Sequence, residues 1–402
     1  MAADSPPYEF GAIDILEPTT HDNPWPLYTW LREECPLYQD SNGVWVVSRY
    51  DDIVSISRDP DTYTSLNGNR PLLPADGSFI HLEGEAHKKR RDLVAEAFGP
   101  KAVARMEGHL RDIITGLIDA VIERGETEFV EELAAPLPAR IMCEMTGIPL
   151  ERAEEVRGML DAFILAGNGP AQLTEAVNEA FMQFGLLHMD LVDARKEAPT
   201  DDLLSLWVHA RIDGKPMTED QLLFEHTMMM VGGSETTRNA ISGGVYELAR
   251  HPEQRQWLIE NPDGLPNAIE EIIRWTTPFV SMSRTATRDV AWGDHIIREG
   301  DCIKMLYPPA NRDPRKFEDA HLFNIRRSFA RPHLSFGFGR HFCLGARLAR
   351  VETQVVLTEL LRRMPDWSVV NEPVLASSSF IRGFKRLDLS FTPGPRLGGG
   401  LA

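Results

Sequence analysis

Phe336-Gly337-Phe338-Gly339-Arg340-His341-Phe342-Cys343-Leu344-Gly345 is the stretch on which the reading of this chain turns. Gly337 and Gly339 permit positive φ and close backbone approach, so N–H groups can turn toward an acceptor and a flat ligand can lie on the loop. Directly after it, from Ala346 to Met364, apolar residues recur at helical spacing until Pro365 stops them. Cys343 thus stands near a helix N-terminus, whose free N–H groups and dipole favour a thiolate. Gly345 removes a side chain where that helix would crowd a ligand, and Arg340 and His341 add donors for an anionic group. The plain alternative is a small buried hydrophobe in a turn, the usual fate of a free cysteine.

Working outward, 402 residues with 43% hydrophobic and 25% charged composition can enclose a large core and a buried cofactor. Collagen-like, disordered and disulfide-scaffold classes are excluded. The net charge of −18 argues against general nucleic-acid binding. No apolar run long enough to span a membrane exists, so no membrane anchor is expected. The opening Met1-Ala2-Ala3-Asp4-Ser5-Pro6-Pro7 lacks the pattern of a secretory signal. Cys35, Cys143, Cys302 and Cys343 show no close pairing, which points to a reducing, cytoplasmic setting. Residues 1–25 read as an irregular segment and 393–402 as a loose tail. Between them lies neither linker nor repeat, so one domain over 1–402 is expected.

Helical periodicity dominates. Met106, Leu110, Ile113, Ile114, Leu117 and Val121 form one face of a helix over 106–122. A second long helix is read from Thr218 to about Arg250. Strand signals are short: 44–47, 303–306 and the alternation Leu387, Leu389, Phe391. Without strand–helix alternation a doubly wound sheet is disfavoured, and the fold class is mostly α with a small β portion.

The cysteine loop matches F-G-x-G-x-H-x-C-x-G throughout, and in this the chain resembles the cytochrome P450 family of haem-thiolate monooxygenases. The resemblance implies haem b (iron protoporphyrin IX) between two long helices, with Cys343 as axial ligand and Phe336, Gly337, Arg340, His341 and Gly345 around it. Further motifs agree with it. Glu271 and Arg274, three apart on a helix, resemble the family's buried pair, joined by Arg327, with Ala310-Asn311-Arg312-Asp313-Pro314 as the loop before it. These scaffold the haem site. Gly232-Gly233-Ser234-Glu235-Thr236-Thr237 resembles the family's oxygen-binding helix motif. Thr236 is four residues after Gly232, so its hydroxyl can reach that carbonyl and loosen the helix, while Gly232 and Gly233 leave a groove. Thr236 then holds dioxygen and Glu235 relays protons, which favours O2-dependent chemistry. His87, Arg91, Arg284 and His341 occupy the propionate-binding positions. Lys88 and Arg90 are left on a solvated helix face or serve a partner.

Residues 326–350 carry Arg326, Arg327, Arg331, Arg340, Arg347 and Arg350 and no acid, a basic patch suited to an acidic electron carrier. With no flavin or ferredoxin module in the chain, a separate ferredoxin and NAD(P)H-dependent ferredoxin reductase are implied. By the same resemblance, substrate contacts are Leu72, Leu73, Phe79, Phe163, Met229, Val280, Met282, Phe380 and Ile381, mostly apolar, and Gly233. A hydrophobic substrate, steroid- or terpenoid-like, is favoured over a small aromatic or a polyketide or peptide metabolite. Arg70 and Arg382 either meet a polar group of the substrate or lie exposed, the latter being expected. A peroxide-using haem enzyme and a non-catalytic haem sensor are the rival classes. A cysteine hydrolase is disfavoured, because His341 sits only two residues from Cys343 and is directed elsewhere.

Overall fold

The computed structural model describes residues 8–329 and 332–398. Eight helices position the site. They are α1 (Gly84–Ala95), α2 (Pro100–Val121), α3 (Pro136–Thr146), α4 (Ala153–Ala166), α5 (Glu175–Glu197), α6 (Glu219–Arg250), α7 (Leu265–Thr276) and α8 (Ala346–Arg363). The architecture is helical with a small β portion, as the periodicity implies.

Helix α6 starts on a reciprocal cap: the Thr218 hydroxyl accepts from the Gln221 N–H while the Gln221 side chain accepts from the Thr218 N–H. Its 32 residues are largely buried, because α3, α7 and α8 pack around it. Small residues permit the approach. A side chain on Gly243 would stand 2.4 Å from Thr276, and one on Gly244 would stand 2.7 Å from Ile272, both on α7. One apolar cluster runs from Phe79 to Phe391, taking in the inner faces of α2 through α8.

The largest sheet has five strands in the order Leu37–Gln39, Trp45–Val47, Cys302–Leu306, Ser281–Ala286, Tyr63–Thr64. Trp45 pairs in parallel with Ile303, which pairs antiparallel with Arg284. That register places Arg284 on an inner strand, buried. The alternation near the end is Asp388–Ser390, paired with Glu126–Glu128 and Ser368–Val369.

The two chain ends are better anchored than expected. In the N-terminal irregular segment Ile15 is fully buried, and His21 hydrogen-bonds the Tyr28 hydroxyl at 2.6 Å. In the tail, Gly394 N donates to Ile122 O (3.1 Å), and Leu397 N and Gly398 N donate to the Asp119 carboxylate. Backbone donors that find a buried acid fix a segment that composition alone reads as loose. Residues 1–7 and 399–402 lie outside the described residues, as does Arg331.

Candidate active site

The cysteine loop is shaped by its glycines. Gly337 and Gly339 adopt φ of 70° and 75°, and a side chain on Gly339 would meet Ser57 O at 2.5 Å. Gly337 N donates to Leu334 O (2.8 Å) and Cys343 N to Phe336 O (2.9 Å), closing the loop on itself. Gly345 is the N-cap of α8. Cys343 is exposed by area, yet burial pushes its thiol above the ordinary value, so its sulfur faces a recess in the protein. The N–H groups of Gly345 and Ala346 and the charges of Arg91 and Arg350 oppose that shift without overcoming it. The helix N-terminus favours the thiolate, as its position in the sequence implies, but burial outweighs it. A bound metal cation would ionise Cys343, since coordination deprotonates a thiol outright.

Histidines and arginines gather beside this loop. His87 is buried, its ring 4.5 Å from that of His341, and its Nε2 is buried without a hydrogen-bond partner. Burial, His341 and Arg91 push His87 down to about 4. Arg91 donates from Nη2 to Phe342 O at 2.7 Å, tying α1 to the residue before the cysteine. Arg284 is buried and donates to Ser283 O (2.7 Å). Among the described residues it makes no ion pair. Arg340 departs from expectation: it is exposed and pairs with Glu83 at 3.0 Å. Glu83, missed in the sequence, also accepts from Ser65 and lies 3.3 Å from His341 Nε2. Burial works to raise the Glu83 carboxyl, but its bonds to His341 and Ser65 win and hold it at about 2. A buried arginine without a counter-ion, an orphaned imidazole nitrogen and a sulfur with two backbone donors fit an anionic, metal-bearing planar group.

On α6 the Thr236 hydroxyl donates to Gly232 O at 2.8 Å, as the four-residue spacing predicts. Gly232 is exposed and Thr236 half-buried on a stretch that is otherwise almost wholly buried, so one face of the helix opens onto a recess. Gly233 is different: a side chain there would stand 2.3 Å from Met142 Sδ, so this glycine admits α3 rather than a ligand. Glu235 is buried, pairs with Arg238 one turn on, and is pushed up to about 7 by burial. Arg238 in turn reaches the exposed Asp161 on α4 at 3.3 Å. A second acid, Glu352 on α8, is buried beside the Thr237 hydroxyl and raised to about 8 by burial. Neither Arg238 nor Glu352 was singled out in the sequence, although the spacing Glu235-x-x-Arg238 was visible there.

Glu271, Arg274 and Arg327 meet in the core as expected. Arg274 holds Glu271 with two bonds of 2.7 Å, and Arg327 Nε adds a third at 2.9 Å. Arg274 also donates to the carbonyls of Asn311, Ala320 and Leu322. Asn311 accepts from Leu334 N and donates to the Ser335 hydroxyl, linking this clamp to the base of the cysteine loop.

Of the apolar candidates, Phe79, Phe163, Met229, Val280, Phe380 and Ile381 are buried. Phe163 stacks on Phe181 at 4.2 Å, Met229 lies in the main cluster, and Val280 packs in a separate one. Leu73 and Met282 are half-buried, while Leu72 is exposed on a turn with φ of 60°. Arg70 and Arg382 are half-buried rather than exposed: Arg70 lies 3.8 Å over the Phe380 ring and Arg382 4.9 Å over Trp25. Arg90, expected on a solvated face, is buried against Glu225; Lys88 is exposed and pairs with Asp92. The basic patch shrinks as well. Arg327, Arg340 and Arg350 are paired with Glu271, Glu83 and Glu270, leaving Arg326 and Arg347 exposed.

A loop-held cysteine at a helix mouth, arginines and histidines beside it and an open threonine–glycine face on an unbroken long helix fit a haem-thiolate protein. Comparison with known proteins agrees. The family model described as Cytochrome P450 matches residues 170–365. The chain is 35% identical over 376 residues to a steroid C26-monooxygenase of Mycobacterium tuberculosis, covering 92% of this chain and 94% of that one. It is 38% identical to a methyl-branched lipid omega-hydroxylase of Mycobacterium bovis, covering 91% and 88%. A Mycobacterium marinum cytochrome P450 in complex with pseudoionone superposes with a TM-score of 0.87 at 31% identity, covering 97% and 100%. The chain belongs to the cytochrome P450 family. It is a monooxygenase, an oxidoreductase that places one oxygen atom in its substrate, and the family implies a thiolate-ligated haem. Among the described residues no helix is long and apolar enough to cross a membrane.

Proposed function

We propose that this chain folds as one domain and hydroxylates a hydrophobic lipid, steroid- or terpenoid-like, by RH + O2 + 2e⁻ + 2H⁺ → ROH + H2O. The observation that carries this reading is the accessible Gly232–Thr236 face, its hydroxyl bonded to the Gly232 carbonyl, on a stretch of helix otherwise almost wholly buried. The related steroid and methyl-branched lipid enzymes support the substrate class.

Cys343, with His87, Arg91, Arg284 and His341, would hold haem b, which would supply electron transfer and dioxygen activation. Thr236 donates its hydroxyl proton to the Gly232 carbonyl, so the oxygen atom of that side chain keeps its lone pairs to accept a bond in the recess. Glu235, at about 7, is half protonated near neutrality and so can give and regain a proton at its carboxyl oxygen. Arg238 and Asp161 connect that buried acid to the exposed surface of α4. Apolar walls exclude water from the reacting carbon. Electrons come from a separate ferredoxin and its NAD(P)H-dependent reductase, docking where Arg347 is exposed two residues after the cysteine loop. Four cysteines outside any disulfide fit the reducing cytoplasm.

The test is a binding titration of the ferric holoprotein with steroids, terpenoids, methyl-branched fatty acids and small aromatics, followed by turnover with surrogate ferredoxin, reductase and NADH. A low- to high-spin shift and a hydroxylated lipid product are expected. Full-rate product formation from hydrogen peroxide alone, or no product at all, overturns the reading.

A further inference from the structure

Arg90 and Glu225 form an ion pair in the core, with both side chains at most 4% exposed. Arg90 lies on α1 one turn after His87, and Glu225 lies on α6, two turns or ~10 Å before Gly232. Buried charge pairs are weak stabilisers: apolar residues of the same volume do as well or better, because neither charge then has to leave water. Two directed bonds distinguish this pair from such a replacement. Arg90 Nη2 donates to Gly77 O at 3.0 Å, and Glu225 Oε1 accepts from Phe79 N at 3.0 Å. Both ends of the pair thus hold the backbone of one loop, residues 76–81.

That loop is pressed onto α6. A side chain on Gly77 would stand 3.2 Å from Asp220 O and 3.3 Å from Phe224. Within it, Asp76 accepts from Ser78 N and bonds His81 Nδ1, both at 2.9 Å. The Phe79 ring lies 5.8 Å from the ring of His87, which lies 4.5 Å from that of His341. Phe79 therefore stands between the helix that carries Thr236 and the cationic side of the cysteine recess.

We propose that Arg90 and Glu225 are positioning residues for the oxidation: they clamp loop 76–81 to α6 and so set where Phe79 and His87 stand relative to the substrate. This deepens, and rests on, the monooxygenase reading above. Neither residue touches substrate; each acts through Phe79 and His87.

The experiment compares wild-type holoenzyme with Glu225→Gln, Arg90→Met and the double variant Arg90→Met/Glu225→Leu. Three quantities are read: the melting temperature, amide exchange across residues 76–81, and the ratio of terminal to penultimate hydroxylation of an iso-methyl-branched fatty acid. The double variant should melt close to wild type, exchange loop amides ~10-fold faster or more, and change the product ratio with KM raised more than kcat is lowered. Glu225→Gln, which keeps an oxygen for Phe79 N, should retain most loop protection and the wild-type ratio. Arg90→Met alone should melt lowest, since it strands a buried carboxylate. A double variant with wild-type loop protection or product ratio overturns the proposal, and so does one that cannot fold, because the pair would then be structural. Failure of the wild type to oxidise any lipid counts against the function instead, and loop exchange then decides the clamp by itself.

Discussion

Two pairs in this molecule share one spacing and have opposite fates. Glu271-x-x-Arg274 on α7 and Glu235-x-x-Arg238 on α6 are both buried, both three apart, and both ion-paired within their helix. The first is saturated: Arg274 spends its donors on Glu271 and three carbonyls, and Glu271 also accepts from Arg327 and Asn324 N. The second is left short. Glu235 Oε2 and Arg238 Nε lack well-formed hydrogen bonds, and the outer partner, Asp161, is exposed. A saturated pair is a clamp, because any movement strands several buried groups at once. An under-satisfied pair whose outer partner is exposed, as Asp161 is here, leaves its acid able to exchange a proton.

The comparison breaks or sharpens in order of expected effect. Removing the clamp should be the most damaging: Glu271→Ala should cost about 3–5 kcal/mol, the usual penalty for stranding one member of a buried pair. Haem content and melting temperature check this, and near-normal holoprotein would refute the assignment. By contrast, Glu235→Gln should keep the fold and the haem while lowering turnover by ~10²-fold, the scale of a lost general acid. Steady-state rates at equal haem content decide between them.

Thr236→Ala sits next in size. It should bind substrate with the wild-type spin shift yet release more of the consumed NADH as peroxide; unchanged coupling would remove its assigned role. The pH profile follows from Glu235. As a proton donor it is competent when protonated, so turnover should fall as pH rises through about 7. The sign for stability is the same: its folded value lies above the ordinary 4.5, so the contribution is full below 4.5 and is lost as pH climbs through about 7. A rate limb that stays put in Glu235→Gln would show that another group titrates. The smallest effect belongs to Asp161→Asn. Its charge raises Glu235, so removing it should move the limb slightly downward in pH, measurable against wild type in the same buffers.

How much of this was legible beforehand depends on how far apart the partners are in sequence. The cysteine loop, within ten consecutive residues, and the bond from Thr236 to Gly232, within four, are local, and the sequence spacing carries them. So is the pairing of Glu271 with Arg274. Arg90 was misread because its partner, Glu225, lies 135 residues away and nothing near Arg90 signals burial. Arg70 and Arg382 were misplaced for the same reason, their covers Phe380 and Trp25 being remote. Gly233 resembled a ligand groove until Met142 was found against it. Glu83 looked like an ordinary residue ahead of a helix until His341, 258 positions on, was brought beside it.

The order of residues by itself determined which cysteine could bind a metal, which helix could loosen at a threonine, and the mostly helical class of the fold. Spacing along one element fixes those, since helix geometry repeats every 3.6 residues or so. Only the tertiary structure decided which of two identical Glu-x-x-Arg spacings became rigid and which stayed titratable. The physical reason is that burial and the supply of further hydrogen-bond partners come from other segments, and those two quantities set both the cost of moving a charge and the pKa of an acid.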